Sequence, residues 1–259
     1  MSAVTLAVLA ANLDGLLGTA TIPDYRSALN GVQVAHRGPV TRLAAAVDCS
    51  QRTIHGAAKE GANLLLVHHG LFWNGLQPLV GAHHERVRAL FDADMALYSA
   101  HLPLDAHPKF GNSALLAREL GLVTTGGFAR HEQLHCGVRG ETSEGTQTLA
   151  ERVRVWARPL GHHAVVSPIP PGHRTQRWAI CSGAGAQRET LDEAYTTGID
   201  TLIVGEGPHW SAVDAEERGL VIIYAGHYAT ETLGVRALTE HLATTFDLPW
   251  SFVHAPTGL

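Results

Sequence analysis

Apolar and polar positions change period repeatedly along the chain, and the changes mark its elements. Residues 3–17 carry apolar side chains at helical spacing and predict an amphipathic helix. The run lacks a basic leading region and meets Asp14 within the same pattern, so it does not match a secretory signal. Residues 30–36 (NGVQVAH) alternate like a short strand after a turn holding Pro23 and Asp24. Residues 42–50 (RLAAAVDCS) predict an apolar strand, 51–60 a helix stopped by Gly61, and 62–69 (ANLLLVHH) a strand buried on both faces. A helix over 84–93, a strand over 95–101 and a helix over 111–120 follow. Gly121, Gly126 and Gly127 then predict a boundary.

The later chain repeats this order. Strand 177–185 (RWAICSGAG) shares Cys-Ser with 42–50, and a helix over 187–197 stops at Gly198. Residues 199–206 (IDTLIVGE) align with 62–69, placing Glu206 where His69 falls. Residues 220–231 (LVIIYAGHYATE) align with 94–105 (DMALYSAHLPLD), so Tyr98 matches Tyr224, His101 matches His227 and Asp105 matches Glu231. This is an internal duplication, and it predicts an α/β fold of two pseudo-repeated lobes, 1–125 and 126–259, with the C-terminal segment free to pack back on the first.

The chemistry gathers at predicted strand ends, where α/β sheets collect functional groups. Seventeen histidines among 259 residues are the compositional oddity. His68 and His69 close one strand, and Gly70 lets that strand break so that both rings turn to one place. With Asp105, His227 and Glu231 they make three imidazoles and two carboxylates. One tetrahedral ion uses three or four protein ligands. A set of five suits two divalent ions bridged by a carboxylate and a water, a hydrolytic device with ions about 3.5–4 Å apart. Nitrogen and oxygen donors are compatible with Zn, Fe, Mn, Co or Ni. The site is expected between the lobes, with Glu206 or His101 as general acid or base.

Other motifs carry less. H-E-x-x-H at 131–135 is flanked by Gly126-Gly127 and by 136-CGVRG-140, which leaves little room for the helix that a metalloprotease needs; His131 and His135 are expected to flank or enter a strand. His83-His84 fit a solvated helix start and His162-His163 a turn. Gly183-Ala-Gly185 has Arg188 at the third position of a dinucleotide fingerprint, so a nicotinamide cofactor is not indicated, although backbone N–H groups there suit a phosphate.

Composition narrows the class. An apolar fraction of 45% is that of a globular protein, and no apolar run approaches the roughly 20 residues of a membrane span. A net charge of −5, with no Lys/Arg run above two, gives no footprint for nucleic acid or anionic membrane. Three widely spaced cysteines without CxxC predict a reducing, cytoplasmic setting.

The ordered blocks NGVQV (30–34), LLLVHHGLFW (64–73), HLPLDAHP (101–108), VGE (204–206) and YAGHYATETLGVRAL (224–238) resemble the dinuclear metal-centre hexamer family, the NGG-interacting-factor-three-like proteins or type 2 relatives of GTP cyclohydrolase I. The resemblance covers nearly the whole chain. It implies a two-lobed α/β subunit in a homo-hexameric ring, two metal ions per subunit held by His68, His69, Asp105, His227 and Glu231, and a small-molecule substrate such as a nucleotide-like heterocycle. Val204, 207-GPHW-210 and Tyr228 depart from the family pattern and bear on the substrate pocket. The stretch 127–177 is too short for the extra domain some members carry. Two functions follow: a metal-dependent hydrolase acting on such a heterocycle or on a phosphoester, or a metal-binding scaffold without turnover.

Overall fold

The computed structural model describes residues 4–259. It is a mixed α/β structure of two compact units, one made of the chain up to His107 with Gly234–Ala255, the other of Pro108–Leu233 with Pro256–Leu259.

In the first unit, β1 (Val4–Thr5) leads into the helix Leu6–Leu17; Ala3, where the sequence places the start of that helix, lies outside the described residues. The Thr5 side chain accepts from Val8 N at the helix start, and Gly18 ends the helix in the left-handed conformation. Then come β2 (Gly31–Val34), β3 (Pro39–Val40), β4 (Leu43–Asp48), β5 (Leu64–His69) and β6 (Ala96–Ser99). β4, β5 and β6 run parallel, β2 lies antiparallel on β6, and a short strand Trp250–Phe252 lies parallel on β4. Every residue of β5 and β6 is buried, which is why they read as continuous apolar runs rather than alternations. Ala44, Ala46, Leu65, Val67 and Leu97 pack on one face with Ile54 and Ala57 of the helix Gln51–Lys59 and Leu90 of the helix Gly81–Asp92. Ser50 and Thr53 form a reciprocal capping box that starts the first of these helices directly after its strand.

In the second unit, β7 (Thr124–His131) and β8 (Leu134–Gly145) form an antiparallel hairpin. β9 (Val165–Val166), β10 (Arg174–Cys181), β11 (Thr201–Val204) and β12 (Val221–Tyr224) complete a six-stranded sheet in the order β7-β8-β10-β11-β12-β9. Alternation along these strands sends residues to two cores. Trp178, Ile180, Ile203 and Ile223 pack with the helices Asn112–Glu119 and Thr146–Ala157, while Ala179, Leu202, Val204 and Ile222 pack with Arg188–Thr197 and His209–Glu217.

The internal order of the two units is the same. Each has three parallel strands joined by helices, and an antiparallel strand beside the third that precedes them in the chain. The repeat is thus visible in topology as well as in residues. The hairpin β7–β8 has no counterpart. Gly126 and Gly127 lie inside β7 and do not break it: a Cβ on Gly127 would fall 2.6 Å from the His135 ring across the ladder, so glycine there makes room for a partner strand. The H-E-x-x-H segment is the tip of this hairpin, with His131 ending β7 opposite Leu134 and His135 opposite Arg130, as the flanking glycines predict. Residues 207–210 include Pro208, which precedes the helix His209–Glu217. Among the described residues no helix is long and apolar enough to cross a membrane.

Candidate metal centre

The strand ends of the first unit gather three imidazoles. Ligand-capable nitrogens of His68, His69 and His101 lie within 4.8 Å of one another, and all three residues are buried. Ring centroids are 4.9 Å apart for His68 and His69 and 4.8 Å for His68 and His101. The strand ends at His69, so the alternation of faces ends there too, and both rings reach the same cluster. Asp105 closes the one-turn helix Leu102–Asp105, and its Oδ2 lies 3.3 Å from His68 Nε2.

The other nitrogen of each ring is tied down. His68 Nδ1 pairs with Ala100 O at 2.9 Å, His69 Nδ1 with Asp48 Oδ1 at 2.9 Å, and His101 Nδ1 with Asp24 Oδ1 at 2.8 Å. A carbonyl or an ionised carboxylate only accepts, so each Nδ1 must be the N–H donor, and in the neutral ring Nε2 carries the lone pair. The sheet explains one of these pairs: Asp48 and His69 are register partners on adjacent parallel strands. Asp24 does more. It also accepts from Asn30 Nδ2 at 2.8 Å, Leu102 N at 2.9 Å and Tyr25 N at 2.6 Å, while Asn30 Oδ1 accepts from His101 N at 2.7 Å. Burial pushes the Asp24 carboxyl up, but the His101 bond and charge and the further donors outweigh it and hold it below the usual carboxylate range.

The second unit carries a smaller set. His227 opens the helix His227–Phe246, and its Nε2 lies 3.1 Å from Glu231 Oε2, one turn on. His227 Nδ1 is 2.8 Å from Glu206 Oε1. Burial pushes the His227 imidazole down, but Glu231 and Glu206 overcome it and raise it to about 9. Backbone packs closely around the pair. A Cβ on Gly183 would overlap Glu231 Oε1, and one on Gly205 would overlap Gly183 O and stand 2.8 Å from His227 Cα. Gly183 N donates to Thr230 Oγ1 at 3.0 Å, and Thr230 Oγ1 donates to His227 O at 3.0 Å, which stitches the loop after β10 to the helix start.

Both units therefore repeat one arrangement: an imidazole fixed at Nδ1, with its Nε2 against a carboxylate. A neutral Nε2 and a carboxylate oxygen are both acceptors, and at 3.1–3.3 Å they repel unless a proton or a metal cation joins them. Imidazoles oriented by an oxygen on the second nitrogen, with carboxylates beside them, are the donor set of divalent metals. The residues present fit such an ion. Of the sequence candidates, His68, His69, His101 and Asp105 come together in one unit, and His227, Glu231 and Glu206 in the other. Asp24 and Asp48 escaped sequence reasoning; an Asp at a strand end beside a second strand ending in His is the signal that was there to be used for Asp48.

Fold and side chains define an α/β protein with a histidine–carboxylate cluster that could bind a metal. The chain belongs to the Duf34/NIF3 (NGG1p interacting factor 3) family, whose sequence model matches residues 11–257. A relative from Deinococcus radiodurans named GTP cyclohydrolase 1 type 2 homolog is 42% identical over 89% of this chain and 86% of its own length. One of the same name from Halobacterium salinarum is 41% identical over 92% and 94%. Among solved structures, protein ybgI superposes with a TM-score of 0.88 at 34% identity, covering 98% of this chain and all of that one. TTHA1606 from Thermus thermophilus gives 0.82 at 36% identity, covering 97% and 98%.

Two outcomes are expected. Gly183 and Gly172 both have positive φ, +64° and +75°, but only Gly183 has a neighbour in the way. Thermal melts should show Gly183→Ala losing clearly more stability than Gly172→Ala, which should lose about 1 kcal/mol or somewhat more from backbone conformation alone; equal losses would refute the close packing on Glu231. Secondly, His227 is raised above its unfolded value of 6.5, so its contribution to stability is full below that value and fades as pH rises through about 9. With chelator present, melts from pH 6 to 10 should show this decline in the wild type and a flatter profile in His227→Gln.

Proposed function

We propose that the chain is a metal-dependent hydrolase in which His68, His69, Asp105, His227 and Glu231 hold two divalent ions of the Zn, Fe, Mn, Co or Ni type, with His101 as a further nitrogen donor. The observation that carries this reading is the facing of Nε2 and carboxylate at His68–Asp105 and again at His227–Glu231, an arrangement that calls for a cation. When bound, such an ion pair supplies Lewis acidity and makes water a nucleophile at neutral pH.

The protein's own groups do the rest. Ala100 O, Asp48, Asp24 and Glu206 hold the rings in one tautomer and one orientation. Glu206, which accepts from His227 Nδ1 and whose side chain is 38% exposed, serves as general acid or base toward the solvent side. The substrate is a nucleotide-like heterocycle, in line with the name its relatives carry, or a phosphoester, which the same two-ion chemistry cleaves.

Elemental analysis of the purified protein tests the metal reading. About two ions per chain are expected, and His69→Ala should lose at least one; a chain without metal after growth in any of the five metals ends it. Glu231→Gln should then abolish turnover on a panel of nucleotides and phosphoesters while circular dichroism stays unchanged. Tight metal with no turnover on any member would leave a metal-binding scaffold.

We also propose that the chain assembles as the six-membered ring its resemblance implies. Sedimentation equilibrium at micromolar concentration should give a mass about six times the 27.7 kDa of the chain, and a clean monomer would contradict it.

A further inference from the structure

Two aromatic side chains stand against the imidazole cluster, and their placement is built rather than incidental. Trp73 lies in the turn after β5, its backbone N–H donating to Gly70 O at 3.4 Å. Its indole centroid is 4.4 Å from the His101 ring and 4.9 Å from the His69 ring. Tyr25 stands edge-on to it, with centroids 6.3 Å apart and planes at 89°, and lies 6.0 Å from His101.

Gln33 brings the two loops together. Its Oε1 accepts from Leu71 N at 2.7 Å, at the start of the loop carrying Trp73. Its Nε2 donates to Ala28 O at 2.9 Å and Leu29 O at 3.0 Å, in the loop carrying Tyr25. A Cβ on Gly70 would overlap the Gln33 amide, so glycine is required for this clamp. Asp24 fixes the Tyr25 backbone while holding His101, so one carboxylate sets the position of an imidazole and of an aromatic together.

Tyr25 is nonetheless 55% exposed, and Trp73 is only partly buried. The loops that carry these rings are clamped by Gln33 and Asp24, and both rings keep surface open. Aromatic walls with a few converging polar groups are the usual lining of small-molecule sites, and a Tyr hydroxyl adds a polar tip at the rim.

We propose that Tyr25 and Trp73 form a stacking subsite for a planar heteroaromatic ring, which selects that ring over a simple phosphoester as the substrate class. This rests on the hydrolase reading above and narrows it. A flat π-system meets the aromatic wall, and the nitrogen and oxygen atoms on its edge meet the polar groups that surround it.

Guanosine 5′-monophosphate and ribose 5-phosphate, which share the sugar phosphate but carry a base and a hydroxyl respectively at C1′, separate the possibilities by calorimetry on the full-length, metal-loaded protein. Base–aromatic stacking of roughly 1–3 kcal/mol predicts at least about fivefold tighter binding of the nucleotide. Trp73→Ala and, separately, Tyr25→Ala should each reduce that preference, and Trp73→Phe should keep most of it. Equal affinities in the wild type, binding of neither compound, or a preference untouched by both alanine variants would overturn the subsite. Metal content, measured on the same samples, judges the metal centre independently: a chain with its ions in place and no base preference loses the subsite alone. The exposed Tyr25 keeps the test valid where Trp73→Ala disturbs the rings it touches.

Discussion

The fixing of imidazoles at Nδ1, three in one unit and one in the other, is the constraint on which each candidate cluster depends. Each ring could present either nitrogen, and in water each would rotate. Here Ala100 O, Asp48, Asp24 and Glu206 remove both freedoms. A hydrogen bond to a carboxylate is about twice as strong as one between neutral groups, and three of the four anchors are of that kind. The consequence is that the Nε2 atoms of His68 and His227 point at Asp105 and Glu231, and each pair is joined by a proton, as the raised His227 allows, or would be joined by a metal ion. Burial of His68, Asp105 and Glu231 makes the mutual repulsion of acceptors costly, because no bulk water screens it. The need for a proton or a metal ion between these groups is therefore set by anchors that would not touch it.

Close backbone approach is the other half of the construction. At Gly183 and Gly205 the loops after β10 and β11 press against the start of the last helix, and any side chain would displace Glu231 or His227. Glu206 N donates to Gly183 O at 2.8 Å and Gly226 N to Gly205 O at 2.9 Å, so three successive strand ends are tied by backbone before any side chain contributes. In the first unit Gly70 performs the equivalent service for Gln33. The repeat in topology thus brings a repeat in method: glycine where chains must touch, then a polar side chain that fixes the ring.

Much of this was legible in the sequence because buried parallel strands cannot hide. LLLVHH, ALYS, TLIV and VIIY stand out as apolar runs, and their polar ends mark the sheet edge. The i, i+4 relation of His227 and Glu231 is equally local. What escaped was non-local. Asp24 meets His101 from 77 residues away, out of a turn whose Asp reads as a turn former and nothing more. Asp48 depends on the register of β4 against β5, which no single segment carries. His101 reads equally well as an acid–base group or as a donor, and its place beside His68 and His69 is a non-local fact. Gly126 and Gly127 mislead for a related reason: glycine signals a break locally, but across a ladder it signals a bulky partner, and His135 is invisible from β7 alone.

The donor chemistry also limits which ions such a cluster could hold. Thiolate would draw the centre toward soft metals, and a cysteine does stand next to Asp48. Cys49 packs in the apolar core with Ile54 and Ala57, and that burial pushes its thiol up to about 12. The nitrogens and oxygens left are borderline-to-hard donors. They would bind an ion by charge and orientation more than by covalency, which would make the rigidity of the anchors, rather than the identity of any one ligand, the source of selectivity. A ring allowed to turn by loss of Asp24 or Asp48 would still be a histidine, but it would no longer offer its lone pair in a fixed direction.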